Sequence, residues 1–382
     1  MNDISKKTFW RIIIGLIAIR FLLVFLLMNN VPFTDMQSGG FRPNFGGSYW
    51  PDEVHYFELA QSFAKFTPVA NVANIGYPLF LAPIVYLTGA AGPEDIAKIV
   101  FVIQAFLFFS LAITLTAVIG LEIFKNRKLA IGAAVLFTAY PYLFFGILQL
   151  ANFSRAVPAF HYQMWINIGA DYLSAVLLYL GFYIFIKKYN SGNISLFFAS
   201  LVGAIIAASA LARVANILYW PLIFIILFYL KKYRESIGFG AVSFAVYLPQ
   251  WIYNLYFFGS PLTYGYRIKE LSGHGLGTKI IGDWFSFGNA AIFFKQIWLN
   301  LPALIWILPI LVFILILGFK VLFLKNKVSA LVLGFWALLN IGFYVFFVAA
   351  QSQLRYFIPA IPPLIVLFIS GIIKIYGFRK FI

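Results

Sequence analysis

The sequence predicts an all-α polytopic membrane protein with about ten transmembrane helices and an interfacial helical first external loop. Three observations predict it. Of the 382 residues, 63% are hydrophobic and only 10% are charged, and mean hydropathy is +0.92. A soluble domain averages about 45–50% apolar and about 25% charged residues, so a soluble globule and a disordered chain are both excluded. Apolar runs long enough to cross a bilayer core of about 30 Å recur along the whole chain. The net charge of +16 is carried by Lys and Arg in short clusters between those runs. That arrangement reads as topology signals and membrane-lipid contacts rather than as a nucleic-acid surface. Cysteine is absent, which excludes disulfides, thiolate metal sites and cysteine nucleophiles.

The elements follow in order. MNDISKKTFWRIIIGLIAIRFLLVFLLMNN opens the chain. Its apolar run is too long for a cleaved signal and no A-x-A site follows it, so it reads as a retained signal-anchor with a span at 9–28. Further spans are expected at 98–123, 129–150, 167–186, 194–211, 215–230, 238–258, 299–319, 328–350 and 357–373. The stretch 194–230 lies between two basic clusters. As one helix its 37 residues would be about 55 Å long, far beyond the bilayer, so it is expected to be a hairpin turning at LARVAN, 211–216. Two long loops remain, 30–97 and 259–298, within one membrane domain covering 1–382.

Positive charge sets the orientation. The apolar run GYPLFLAPIVYLTG at 76–89 is short and holds two prolines. If it does not cross, the clusters at Lys6–Lys7–Arg11, Lys125–Arg127–Lys128, Lys187–Lys188, Lys231–Lys232–Arg234, Lys320–Lys325–Lys327 and Lys374–Arg379–Lys380 all fall inside. They hold more than half of the 28 Lys and Arg residues. If it does cross, all but the first cluster move outside. It is therefore read as an interfacial or re-entrant piece, with ten crossings, both termini cytoplasmic and a cell-membrane location. Nine of the 12 acids then fall at or beyond the external face, together with both long loops. Functional residues in a compact protein concentrate in such loops.

The first loop contains YWPDEVHYFELAQSFAKF at 49–66. Pro51 suits a helix start, and Asp52 and Glu53 then sit in the first turn, where the helix dipole favours carboxylates. The helix reads as amphipathic and interfacial. Its acids are either a working pair or simply solvated. Asp171 lies about one turn inside the outer end of its span, where an ionisable group is costly and by default a functional candidate; the alternative is a headgroup-solvated or arginine-paired acid. Arg155, Arg213 and Arg355 face the same side, although external loops normally avoid arginine. A guanidinium fork suits phosphate, and snorkelling to outer-leaflet phosphates is the competing reading. Arg20 lies mid-span and needs an interior partner. His55, His161 and His274 lack metal-ligand spacing to one another, so no cofactor is expected and a divalent metal is only weakly signalled. Trp50, Tyr56 and Trp165 read as interfacial belt residues. There is no phosphate-cradling glycine loop, nucleophile elbow or HExxH motif.

Taken together, these residues resemble the GT-C superfamily of membrane glycosyltransferases that use polyprenyl-phosphate sugars, above all the protein O-mannosyltransferases and the lipid A aminoarabinose transferases. PDEVHYFELA resembles the acidic motif of the first external loop, and GYPLFLAPIVYLTG the proline-rich stretch after it. GADYLSAVLLYLGFYIFIKK resembles the span with the second acid, and SALARVANILYWPLIF the short arginine-bearing hairpin. LPQWIYNLYFFGSPL and LRYFIPAIPPLIVL resemble later segments. The resemblance implies a GT-C-like fold and transfer of a sugar from a polyprenyl-phosphate donor to a lipid, glycan or protein acceptor. It places the catalytic aspartate at Asp52, the second acid at Asp171, and phosphate-side arginines at Arg213 and Arg355. On this resemblance Asp52, Glu53 and Asp171 are the catalytic acids, Arg155, His55 and Tyr56 are further substrate or phosphate contacts, and Trp50, Tyr56 and Trp165 are candidate sugar-stacking rings. A lipid or glycan transporter or flippase, and an O-antigen-type polymerase or ligase, are the alternative functions. A transporter would place its charges at mid-membrane between pseudo-symmetric halves; here most charge lies at one face, and no internal repeat stands out.

Overall fold

A computed structural model describes residues 4–28, 51–150, 163–166, 168–265, 286–300, 304–346 and 354–376. Every regular element among them is helical. In chain order these are α1 (Lys6–Met28), α2 (Pro51–Ala64), α3 (Gly76–Thr88), α4 (Pro93–Phe124), α5 (Arg127–Leu150), α6 (Ala170–Asn190), α7 (Leu196–Ala212), α8 (Tyr219–Tyr229), α9 (Tyr233–Phe258), α10 (Phe287–Asn300), α11 (Leu304–Lys325), α12 (Lys327–Phe346) and α13 (Ile361–Ile375). A π-helical stretch, Val102–Phe108, interrupts α4. Tight 3₁₀ turns, Val214–Leu218 and Leu354–Ala360, lead into α8 and α13.

Among the described residues, seven helices are long and apolar enough to cross a membrane: α1, α4, α5, α6, α11, α12 and the run through α13. The chain is a multi-pass helical membrane protein. α7 and α8 are apolar but shorter; 17 residues in α7 reach only about 25 Å at 1.5 Å per residue. The chain does reverse between them at Arg213. α7 advances along α9, Leu196 meeting Gly238 and Gly203 meeting Phe239 and Ser243, whereas α8 runs back along it: Trp220 packs on Tyr247 and Trp251, and Phe224 meets Gly240 while its carbonyl accepts from the Ser236 hydroxyl. The span expected at 299–319 is displaced toward the C-terminus: α11 runs from Leu304 to Lys325.

Four of the basic clusters, those at Lys6–Lys7–Arg11, Lys125–Arg127–Lys128, Lys187–Lys188 and Lys320–Lys325–Lys327, gather at one end of the bundle. Arg127 donates to the Ile4 carbonyl at 2.8 Å, joining the first two clusters. Asn190, just after Lys187 and Lys188, donates to the Glu122 carbonyl at 3.0 Å and accepts from Asn326 at 3.0 Å. Lys188 lies 3.5 Å from the centre of the Phe198 ring. The KNRK and KNK turns use one device. Asn126 accepts from Lys128 and Leu129 N–H, and Asn326 from Ser329 N–H, so each asparagine caps the next helix.

α3 lies at the other end. Its Gly76 packs on the Leu211–Ala212 backbone, and Ala90 just beyond it accepts from Gln61 of α2 at 3.2 Å. α2 is more deeply docked than an interfacial helix: Phe57, Leu59 and Ala60 are buried, and so are Glu53 and Ser62 from its polar set. Tyr253 of α9 anchors the segment between α2 and α3, donating to the Val69 carbonyl and accepting from Asn71 N–H.

α6 is the central helix. Tyr172, Tyr179, Phe182 and Phe185 are all buried, and Phe182 stacks on Trp336 of α12 at 4.2 Å between ring centres. α11 and α13 cross with backbones nearly touching: a Cβ on Gly318 would strike the Leu367 carbonyl, and one on Gly371 the Ile314 carbonyl. Small residues allow this approach between membrane helices. Gly371→Ile is therefore expected to separate the pair and cost about 1–3 kcal/mol, read as a lower melting temperature of the purified protein; an unchanged melting temperature would contradict the close crossing.

Candidate functional site

Asp52, Asp171, Arg213 and Arg355 come from four separate elements. Asp52 occupies the first turn of α2, directly after Pro51. Asp171 occupies the first turn of α6, after the extended Gly169, so both carboxylates lie where free helix N–H groups favour negative charge. Arg213 is the extended residue between α7 and the 3₁₀ turn. Arg355 lies in the 3₁₀ turn before α13.

Each arginine-bearing turn is tied to α6 by buried hydrogen bonds. The Ser209 hydroxyl donates to the Ser174 carbonyl at 2.7 Å and accepts from Asn216 at 2.6 Å, which straps the Arg213 turn down. The Tyr179 hydroxyl donates to the Ile358 carbonyl at 2.5 Å, which fixes the Arg355 turn. The result is a continuous ionic chain. Arg355 Nη2 donates to Asp52 Oδ2 at 2.5 Å, and Arg355 Nε lies 3.5 Å from Asp171 Oδ2. Asp171 Oδ1 pairs with Arg213 Nη1. Asp171 is 2% exposed and Arg355 4%, while the Asp52 side chain is 25% exposed. Two carboxylates and two guanidiniums balance in charge, as a site withdrawn from water requires, and Asp52 is the member open to an incoming molecule.

Two tyrosines complete the arginine side. Tyr344 accepts from Arg213 Nε at 2.6 Å, and the Arg213 guanidinium lies 4.2 Å from the centre of the Tyr356 ring. The two rings stack on each other at 4.8 Å. Sequence reasoning missed both, because aromatic residues near span ends read as belt residues; the adjacency of Arg355 and Tyr356 was the available signal.

On the acidic side, Glu53 is 1% exposed and close enough to Tyr77 for electrostatic coupling. Tyr77 packs edge-on against Tyr56 at 5.0 Å. The Tyr77 hydroxyl accepts from Gly169 N–H at 3.2 Å and from Gln104, whose amide also donates to the Gly169 carbonyl at 3.3 Å. Gln104 lies in the π-helical stretch of α4, a distortion that often accompanies functional positions. These bonds hold the residue two before Asp171. Neither Tyr77 nor Gln104 carries a charge, so nothing in the sequence marked them.

The other candidates divide. Tyr56 lies beside the network, half-buried. His55 points along α2, its Nδ1 3.6 Å from Glu58, and does not join the ion pairs. Trp165 corrects both of its expected roles: it is fully buried, stacked on Tyr172 at 5.3 Å and edge-on to Phe109 at 5.3 Å, so it neither meets a sugar nor lines a belt. Arg155, Trp50, His161 and His274 lie outside the described residues. Among the described residues, no three His, Asp or Glu side chains gather to hold a metal ion. Comparison with protein-family models, with curated proteins and with solved structures finds no match to this chain.

Proposed function

We propose that this protein is a glycosyltransferase that moves a sugar from a polyprenyl-phosphate donor to an acceptor hydroxyl at the external membrane face, with inversion and with Asp52 as the base. The observation that carries the reading is the ionic chain from Asp52 through Arg355 and Asp171 to Arg213, assembled from elements as much as 303 residues apart. It lies at the end of the bundle away from the basic clusters. With those clusters cytoplasmic, the network faces outside, both termini are inside, and α1, α4–α9 and α11–α13 supply ten crossings of a GT-C-like fold.

The chemistry needs one base and a cationic seat for the leaving group. A phosphate monoester has a second pKa of about 6, so it departs without help from an acid. The donor phosphate competes with Asp52 for Arg355, and Arg213 supplies further positive charge. Asp52, released toward the acceptor, takes the hydroxyl proton as the oxygen bonds to the anomeric carbon. The bond from that carbon to the phosphate oxygen breaks, and its electron pair leaves on the polyprenyl phosphate. Attack opposite the leaving group inverts the anomeric centre. Tyr56, half-buried beside Asp52, contacts the sugar or the acceptor, and the buried Glu53 lies behind it.

The test is incubation of purified protein with labelled polyprenyl-phosphate sugars and crude membrane acceptors. Label transferred from at least one donor supports the reading; retention of the label by every donor rejects it.

A further inference from the structure

Arg20 belongs to no part of the site, yet among the described residues it is the largest charged side chain that is fully buried. Its donors go to the Met164 carbonyl at 2.5 Å, the Met164 sulfur at 3.1 Å and the Tyr142 hydroxyl at 3.4 Å. Its guanidinium lies 4.1 Å from the centre of the Phe109 ring. None of these partners is a carboxylate. A cation enclosed in a membrane helix is costly, and an apolar residue of similar size commonly serves packing as well or better. What the guanidinium adds is direction: a planar fork fixes the carbonyl it holds.

That carbonyl belongs to the residue before Trp165, whose φ is +61°. A bulky residue in the left-handed region is strained and persists only where its surroundings over-determine it. The Trp165 indole N–H donates to the Tyr140 hydroxyl at 3.2 Å, and that hydroxyl donates to the Gln163 carbonyl at 3.2 Å. The indole packs edge-on against Phe109, the ring under Arg20, and stacks on Tyr172. Tyr172 adjoins Asp171 in the first turn of α6. The contacts therefore run without a gap from Arg20 through Met164, Phe109 and Trp165 to Tyr172, while Tyr77 and Gln104 hold the same approach at Gly169.

We infer that Arg20 is a positioning residue: it locks the strained turn at Met164–Trp165 so that α6 begins where Asp171 meets Arg213 and Arg355 together. Its kinetic consequence rests on the transferase reading; its structural consequence does not. The experiment is a double-mutant cycle on the purified full-length chain with Arg20→Met, Asp171→Asn and both. Coupling energies between residues that share no contact require such a cycle. The expected result is overlap: the double variant loses clearly less melting temperature than the sum of the single losses. Additive losses would overturn the inference and leave Arg20 a local clamp between α1, α4 and α5. If Arg20→Met does not fold, Arg20→Lys, which keeps the charge but not the fork, carries the same cycle with the same two outcomes.

The kinetic arm compares Arg20→Met with Arg20→Lys in sugar transfer. A small displacement of a positioned group costs on the order of 100-fold in rate. Arg20→Met is expected to lose kcat on that scale with donor KM within a few-fold of normal, and Arg20→Lys to recover part of it. An unchanged kcat would contradict positioning. Overlapping stabilities without transfer from any donor would retain Arg20's positioning role and reject the transferase reading.

Discussion

Asp52→Asn is expected to reduce sugar transfer by roughly 10²–10⁴-fold, the usual worth of a general base, while the protein remains folded. Asparagine keeps the shape of the side chain and still offers an oxygen to Arg355, but it does not take the acceptor's proton. The fold tolerates the change because Asp52 is the most exposed member of the network and Arg355 retains Asp171 at 3.5 Å. The measurement is turnover with a saturating donor, paired with the melting temperature. Near-normal turnover in a folded variant would remove Asp52 from the base role, and Glu53, its buried neighbour, would be tested next.

Asp171→Ala is expected to have the largest effect on stability. Asp171 is the only carboxylate among the described residues that bridges both guanidiniums. Its loss leaves Arg213 without its carboxylate and takes one carboxylate from Arg355, and breaking a buried ion pair from one side costs about 3–5 kcal/mol. The check is thermal unfolding of Asp171→Ala beside the double variant Asp171→Leu with Arg213→Met. Removing both charges together is expected to restore much of the lost stability, since an apolar pair needs no desolvated partner. Transfer stays absent in both variants, because the phosphate loses Arg213 in one and its geometry in the other. Equal instability of the two variants would show that the charge balance is not what holds this end of the bundle together.

Some of this was readable directly from residues. The start of α2 at Pro51, with Asp52 and Glu53 in its first turn, follows from local helix-end chemistry. The reversal at Arg213 follows from length, because 37 residues between two basic clusters are too many for one crossing. The gathering of the basic clusters at one end follows from their spacing relative to the apolar runs. Other features were not readable. The depth of α2 was underestimated because Ser62 satisfies its hydroxyl on the Leu59 carbonyl of its own helix, so a polar position became a buried one. Arg20 reads as an orphan in the sequence because its partners, the Met164 carbonyl and the Phe109 ring, lie far along the chain and carry no charge to mark them.

Hydropathy and charge along the chain are enough to establish a multi-pass helical membrane protein and to mark which of its acids and arginines are costly enough to need a purpose. Those properties are local sums of hydropathy, charge and helix-end preference over a window of about 20 residues. Only the tertiary structure decided which charges meet. The bond between Asp52 and Arg355 spans 303 positions, and its existence depends on where α6 presents Asp171 and on the hydrogen bonds that tie two distant turns to that helix. Partner choice in a packed bundle is set by helix crossings and buried hydrogen bonds, and neither leaves a periodic trace along the chain.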